Sequence, residues 1–376
     1  MRVITSKILL LLAVVLTMAS CEHWNLRIDT EINRDGSCTR RLWTDVDTCL
    51  VMDDSWEMTQ FELANDSVKS LLASGVSDWR YDINLDDDST VVYVISREFD
   101  NVGDMTSNPV YRLYDRPVTS KASLDRKFKW FYTDYVYTET FDGWEKTFPI
   151  SLDGYFDDDD QASFMFTGYP EMPAGMTGME MADYLSKLQE GLERWENAVL
   201  WDVELKVLEE YYDYFINPPV DYETFVSKHH KIINCANRRG VYILSSSDDD
   251  FSEGLKEVLK EVFGSDEVYK SILRAEEMNW GLRKQMDDKW KMMSDKAIAL
   301  FAFNGSYTLK MPGKVIDAGY GIVEDGIVKY RFKGTFLVPG DYTFTATSRC
   351  VNVWAFLLAG LVITVAVGSF FIGKKN

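Results

Sequence analysis

Histidine is nearly absent from this sequence: His23, His229 and His230 are the only ones in 376 residues. That scarcity weighs against Ser-His-Asp arrangements and most zinc sites, which need at least one well-placed imidazole. His229 and His230 are neighbours on an expected helix, where consecutive side chains point apart, so they read as a partly exposed pair. No Cys-x-x-Cys spacing occurs, which removes zinc ribbons and thioredoxin-like sites. The phosphate-binding glycine loop, the dinucleotide fingerprint, the nucleophile elbow and His-Glu-x-x-His are also missing. The chain therefore reads as non-enzymatic and without a cofactor. A hydrolase using an unassigned pair of carboxylates stays open, because acids are plentiful.

Positive charge is the second shortage. Forty Lys and Arg face 60 Asp and Glu, for a net charge of −20. Arg2, Lys7, Lys374 and Lys375 lie in end segments that contain no acid, so the middle of the chain is more acidic still. Such a surface repels nucleic acid and anionic lipid headgroups, and nucleic acid is excluded as a partner. Aromatic residues are abundant, with 11 Trp, 20 Tyr and 21 Phe, enough for a substantial core.

Long apolar runs occur only at the two ends. Arg2 and Lys7 precede an apolar stretch from Ile8 to Met18, and Met18-Ala19-Ser20-Cys21 resembles the bacterial lipobox. Residues 1–20 are thus expected to be a lipoprotein signal peptide, and Cys21 the acylated mature N-terminus. Val353 to Ile372 has the length and composition of a transmembrane helix, with Lys374 and Lys375 in a cytoplasmic tail at 373–376. Together these place the ectodomain outside a bacterial inner membrane, in the periplasm. A type I membrane protein, with Asn65 and Asn304 as glycosylation acceptors, is the alternative.

Between the ends, the periodicity predicts an α+β fold: a mixed, mainly antiparallel sheet built from N- and C-terminal segments, with a large all-helical insertion. Residues 21–175 form the first β-rich part, 176–303 the insertion and 304–352 the second β-rich part. Trp24 to Ile32 alternates before an Asp35-Gly36 turn and a return strand to Val46. Residues 57–73 have helical spacing. Trp79 to Leu85 and Val91 to Phe99 form a second hairpin around Asp86-Asp87-Asp88. Residues 127–141 read as one aromatic strand.

From Leu185 the apolar spacing becomes three and four, with a phase shift before Leu205. Pro218-Pro219 stops a helix, and Ser247-Asp248-Asp249-Asp250 starts another. Strands resume at Tyr307, punctuated by Pro312-Gly313, Asp325-Gly326 and Pro339-Gly340.

The opening NLRIDTEINRDGS, and the ending YTLKMPGKVIDAGYGIVEDGIVKYRFKGTF with YTFTATSR, resemble the double-anchored bacterial lipoproteins of the LppM-type family. The resemblance covers roughly 70 residues of ectodomain plus both anchors, and implies a small α/β lipoprotein domain with a ligand-binding, lipid-related envelope role. Nothing in residues 176–303 matches it.

Two clusters deserve weighing as metal sites. Asp157, Asp158, Asp159 and Asp160 offer the carboxylates that calcium prefers, but without the alternating spacing of a known loop. Met172, Met176, Met179 and Met181 offer thioethers that suit Cu(I), although Met is also an adaptable apolar filler. After Cys21, Cys38, Cys49, Cys235 and Cys350 allow two disulfides in any of three pairings. The functional expectation is a membrane-tethered lipoprotein that binds a partner protein or an apolar lipid ligand. A metal-handling protein is the alternative beside the hydrolase.

Overall fold

The computed structural model describes residues 24–44, 80–85, 91–106, 111–113 and 116–373, apart from single positions 171, 173, 245 and 298. The lipobox with Cys21, His23, Cys49, the expected helix at 57–73, Asn65, the Asp86–Asp88 turn and Lys374–Lys375 lie outside the described residues. The chain divides into a unit made of 1–142, 301–337 and 341–376, and a second made of 143–300 with 338–340.

The first unit is built on two sheets. The larger takes β1 (Trp24–Ile32), β2 (Cys38–Thr44), β3 (Arg80–Leu85) and β4 (Val91–Phe99) from the N-terminal side. Short strands β5 (Tyr111–Leu113) and β6 (Arg116–Val118) pair by themselves. Strands β7 (Ser120–Lys129) and β8 (Tyr132–Phe141) begin the smaller sheet. After the second unit come β9 (Phe303–Lys310), β10 (Lys314–Asp317), β11 (Ile322–Glu324), β12 (Ile327–Lys333) and β13 (Tyr342–Val351). The larger sheet runs β11-β12-β9-β1-β2-β4-β3 and the smaller β10-β13-β8-β7. β1 and β9 pair in parallel, while the other pairings in both sheets are antiparallel.

Two sheets stand where the sequence pointed to one. One crossing between them falls at Pro312-Gly313, where the chain leaves β9 of the larger sheet for β10 of the smaller. Gly313 has φ +81, and a Cβ there would lie 2.3 Å from the Arg349 carbonyl oxygen, so the crossing requires glycine. Ser348 Oγ closes it by donating to the Pro312 carbonyl at 2.8 Å. Alternation is strict on the inner faces: Leu26, Ile28, Thr30 and Ile32 of β1 are buried, as are Tyr342, Phe344, Ala346, Ser348 and Cys350 of β13. Tyr330 and Phe344 stack across the sheets with ring centroids 4.3 Å apart.

A charge sits inside this aromatic core. Arg40 on β2 is 2% exposed and Glu139 on β8 is fully buried. Arg40 Nη1 and Nη2 donate to the two Glu139 oxygens at 2.8 and 2.7 Å, a bidentate pair between the sheets. Ser120 Oγ, Tyr137 Oη and Tyr307 Oη also donate to the carboxylate, at 2.6, 2.5 and 2.5 Å. Burial alone would push the Glu139 carboxyl up, but the Arg40 charge and these hydrogen bonds hold it below the usual carboxylate range. Arg40 Nε is enclosed with no acceptor among the described residues. Desolvating such a pair is costly, so its role is to fix which strands face each other.

Two expectations are corrected here, and three of the cysteines are placed. Residues 127–141 are not one strand but the β7–β8 hairpin, with Trp130 and Phe131 alone at the turn. The turn was invisible because it contains none of Gly, Asn, Asp or Pro. Cys38, Cys235 and Cys350 are buried free thiols, unbridged to one another, and burial pushes the Cys38 thiol up to about 11. The second correction concerns the C-terminal segment.

A helix does follow β13 at Val353–Gly373, but among the described residues no helix is long and apolar enough to cross a membrane. The transmembrane helix is therefore withdrawn from the fold.

The second unit is helical: α1 (Asp159–Thr167), α2 (Gly178–Glu210), α3 (Tyr222–Ser227), α4 (His229–Arg239), α5 (Asp248–Phe263), α6 (Glu267–Met278), α7 (Leu282–Ala297) and α8 (Ala299–Ala302). Helical structure thus begins at Asp159, ahead of the expected 176. The helix at Val353–Gly373, in the first unit, is α9. The phase shift before Leu205 marks no break; α2 runs through it. Trp195, Asn197 to Val203, Leu205, Val207 and Leu208 are all buried, so most of this stretch is covered, with Lys206 exposed. Thr177 and Glu180 form a capping box at its start, and Ser247 caps α5.

The buried pair makes a stability prediction. Glu139→Gln leaves the Arg40 charge uncompensated and should cost about 3–5 kcal/mol in urea unfolding, whereas Arg40→Met combined with Glu139→Leu should cost much less. Because the Glu139 carboxyl is lowered on folding, its contribution is full above the unfolded pKa and disappears as pH falls through the folded one. Equal losses in the single and double variants would contradict this.

Candidate functional site

The helical unit carries an open cleft between the Asp153–Asp157 loop, α2 and α4. Its main cavity, about 620 Å³, is lined by Tyr155, Glu190, Arg194, Asn234, Arg238 and Tyr242 among others. Hollows of about 370 and 250 Å³ share its residues at either side, one adding Lys231 and Glu261, the other Lys187 and Asp157.

Local chemistry explains each wall. Gly191 of α2 lets the loop approach: a Cβ there would lie 2.4 Å from the Tyr155 carbonyl oxygen. Trp195 Nε1 donates to the Ile150 carbonyl at 3.1 Å and fixes the loop's root. On the opposite wall, Gly240 takes φ +68 and ends α4 in the left-handed conformation. The chain beyond it is held by Asn197, whose Nδ2 donates to Asn237 Oδ1 at 2.8 Å and to the Val241 carbonyl at 3.0 Å. Asn197 Oδ1 accepts from Ile243 N at 3.1 Å. A buried asparagine with three partners is a rigid floor for the cleft.

The lining is polar and carries both charges. The Arg194 guanidinium lies 5.7 Å from the Tyr155 ring centre. Arg238 is exposed and pairs with Glu261. Glu190 and Asp153 face the same space as these cations. The arrangement offers hydrogen bonds and complementary charge. Cys235 borders the hollow beside Glu261, with Arg238 Nη2 3.6 Å from its Sγ, and burial pushes its thiol up.

His229 is the best-defined ionisable cluster outside the cleft. Its Nδ1 lies 2.7 Å from Glu209 Oε1 and its Nε2 3.0 Å from Asp202 Oδ1. Lys206 pairs with the other Asp202 oxygen at 2.7 Å. Burial lowers the affinity of His229 for a second proton, but the two carboxylates outweigh it and its pKa is raised. With both ring nitrogens held by carboxylates of α2, His229 ties α4 to α2. His230 is exposed, with its ring centre 5.9 Å from that of His229.

The other sequence candidates are structural where described. Asp158 accepts from Gln161 N at 2.8 Å as the cap of α1, and Asp159 and Asp160 occupy its first turn. Asp157 Oδ2 is 3.4 Å from Gln161 Nε2. Met179 and Met181 lie two residues apart at the start of α2 and so diverge; Met172 and Met176 precede it in the loop and are half-buried. No group of three or more His, Cys, Asp and Glu could hold a metal among the described residues. The sequence reading missed Arg194, Arg238 and Asn197. The signal was faint: an Asn within an apolar helical run, at a position facing the core.

Comparison with protein-family models, with curated proteins and with solved structures finds no match to this chain. Its function has to be argued from its own residues.

Two partly buried carboxyls share the behaviour of His229. Burial, with Glu193 nearby, pushes Glu196 up to about 7; burial, with Asp287 and Glu276 nearby, does the same to Glu204. All three groups hold protons more tightly folded than unfolded. Their contribution is full below the unfolded values of 4.5 and 6.5 and is lost as pH rises through the folded ones. The thermal midpoint of the helical unit should therefore fall between about pH 5 and about pH 8. His229→Gln should be more destabilising at the acid end. A midpoint that climbs over this range would contradict the assignment.

Proposed function

We propose that this chain is a non-enzymatic lipoprotein of the bacterial cell envelope, acylated at Cys21, whose folded part lies on the extracytoplasmic side of a membrane. There the cleft of the helical unit binds a partner protein. The observation that carries this reading is the cleft itself: about 620 Å³, open, and lined by Arg, Asn, Glu and Tyr. An apolar ligand would call for a mostly apolar pocket. A polypeptide matches mixed charge and amide groups on a rigid floor. The Met18-Ala19-Ser20-Cys21 sequence supports the anchoring, and the likeness of both strand-rich ends to LppM-type lipoproteins agrees with the envelope setting.

Photo-crosslinking in intact membranes tests the reading. A crosslinker at Asn234 or Tyr242 of the full chain should give one discrete protein adduct, lost when Arg194→Glu is added. A crosslinker at Lys291, exposed on α7, should not give it. No adduct from the cleft, or the same adducts from Lys291, would overturn the proposal, and a lipid adduct would favour the apolar-ligand reading instead.

A further inference from the structure

The β7–β8 turn is made of two large aromatics in the open. Tight hairpin turns favour Gly, Asn and Asp, which supply the backbone freedom and the polarity that an exposed tip needs. Here Trp130 and Phe131 occupy the turn without entering the left-handed region, and are 51% and 41% exposed. Phe128, just before them, is 61% exposed. Nothing in the hairpin's geometry requires these side chains.

The tip is rigidly joined to the start of α9. Asn352 N donates to the Phe131 carbonyl at 2.9 Å, and Asn352 Nδ2 donates to the carbonyls of Lys129 and Trp130 at 3.0 and 3.3 Å. Thr133 Oγ1 donates to Asn352 Oδ1 at 3.1 Å. This clamp sets three ring contacts: Phe128 stacks on Trp354 at 6.3 Å, Trp130 meets Trp354 edge-on at 5.5 Å, and Phe131 lies 4.8 Å from Phe356. Trp354 and Phe356 are themselves half exposed, and the apolar surface continues along α9 through Leu357, Leu361 and Val362. One continuous apolar surface of this kind marks an interaction site.

Charge identifies what covers it. In a chain of net charge −20, Arg126, Lys127, Lys129 and Arg349 gather at this end of the hairpin against Asp125 and Asp134. Lys129 and Arg349 both pair with Asp134, at 3.0 and 2.6 Å, which fixes their heads just behind the aromatic tip. Arg349 lies over the Tyr132 ring at 3.9 Å. Aromatics backed by flanking cations match the boundary between acyl chains and phosphate headgroups.

We propose that the β7–β8 tip and the first turn of α9 form a collar that docks on a lipid bilayer, with Trp130, Phe131, Trp354 and Phe356 among the upper acyl chains and Lys127, Lys129 and Arg349 at anionic headgroups. The general repulsion between this acidic chain and anionic lipid is thereby reversed at one place. The collar shares only the membrane setting with the proposed function and does not involve the cleft.

The test uses the full chain labelled with fluorotryptophan in bicelles of phosphatidylcholine and phosphatidylglycerol. The Trp130 fluorine resonance is identified by its loss in Trp130→Phe. It should be broadened by lipid carrying a nitroxide on the acyl chain and protected from a water-soluble gadolinium chelate. Lys127→Glu with Lys129→Glu should reduce that broadening several-fold when phosphatidylglycerol is present and leave it unchanged in phosphatidylcholine alone. If Trp130 responds to gadolinium and not to the nitroxide, the collar is refuted, whatever Trp354 does and whatever the cleft binds. Charge reversal without effect in the presence of phosphatidylglycerol would overturn the headgroup pairing.

Discussion

The Arg40–Glu139 pair is the constraint on which the first unit turns. Two strands far apart in sequence, β2 and β8, lie in different sheets, and the pair leaves them only one mutual position. Hydrophobic burial alone would tolerate sliding among the many Phe, Tyr and Ile side chains of the two inner faces. A bidentate ion pair inside an apolar core does not, because any displacement leaves a charge unpaired. Tyr137 and Tyr307 extend the same logic to β8 and β9. Their hydroxyls meet at 3.0 Å and both donate to Glu139, so the network reaches strands from either side of the helical unit in the sequence. The parallel β1–β9 pairing is thereby backed by side chains as well as by its backbone ladder.

The helical unit solves a different problem. Its central helix, α2, is largely buried from Trp195 to Leu208, yet carries Asn197, Asp202, Glu196 and Glu204 there. Asn197 and Asp202 find partners and hold α4 and the following loop in place. Glu196 and Glu204 are instead pushed up to about 7 by burial and neighbouring carboxylates, so they titrate near neutrality. Polar groups at the core of the unit thus do two jobs. Some fix the walls of the cleft, and others make the unit's stability depend on pH.

Much of this was legible in the chain, and the failures share a cause. The β1–β2 hairpin followed from alternation and Asp35-Gly36, and the α5 start from Ser247 and its acids, because both signals are local. The β7–β8 turn was not visible, since Trp130-Phe131 carries none of the usual turn residues. Arg40 and Glu139 looked like ordinary solvent-facing strand charges; only their common inner face, ninety-nine residues apart, reveals them as a pair. Gly191 and Asn197 carry the cleft through contacts that no spacing rule anticipates. The apolar C-terminal run reads as a membrane span by length and composition, but among the described residues no helix is long and apolar enough to cross one.

The central claim is that strands from both ends of the chain form one cooperative unit locked by a buried charge. Native-state hydrogen exchange, followed across low denaturant concentrations, measures it most directly. The account predicts that amides of β1, β2, β8, β9 and β13 exchange through one opening of the same free energy and the same denaturant dependence. If β8 and β13 open as a separate, less stable unit while β1, β2 and β9 stay protected, the account is contradicted.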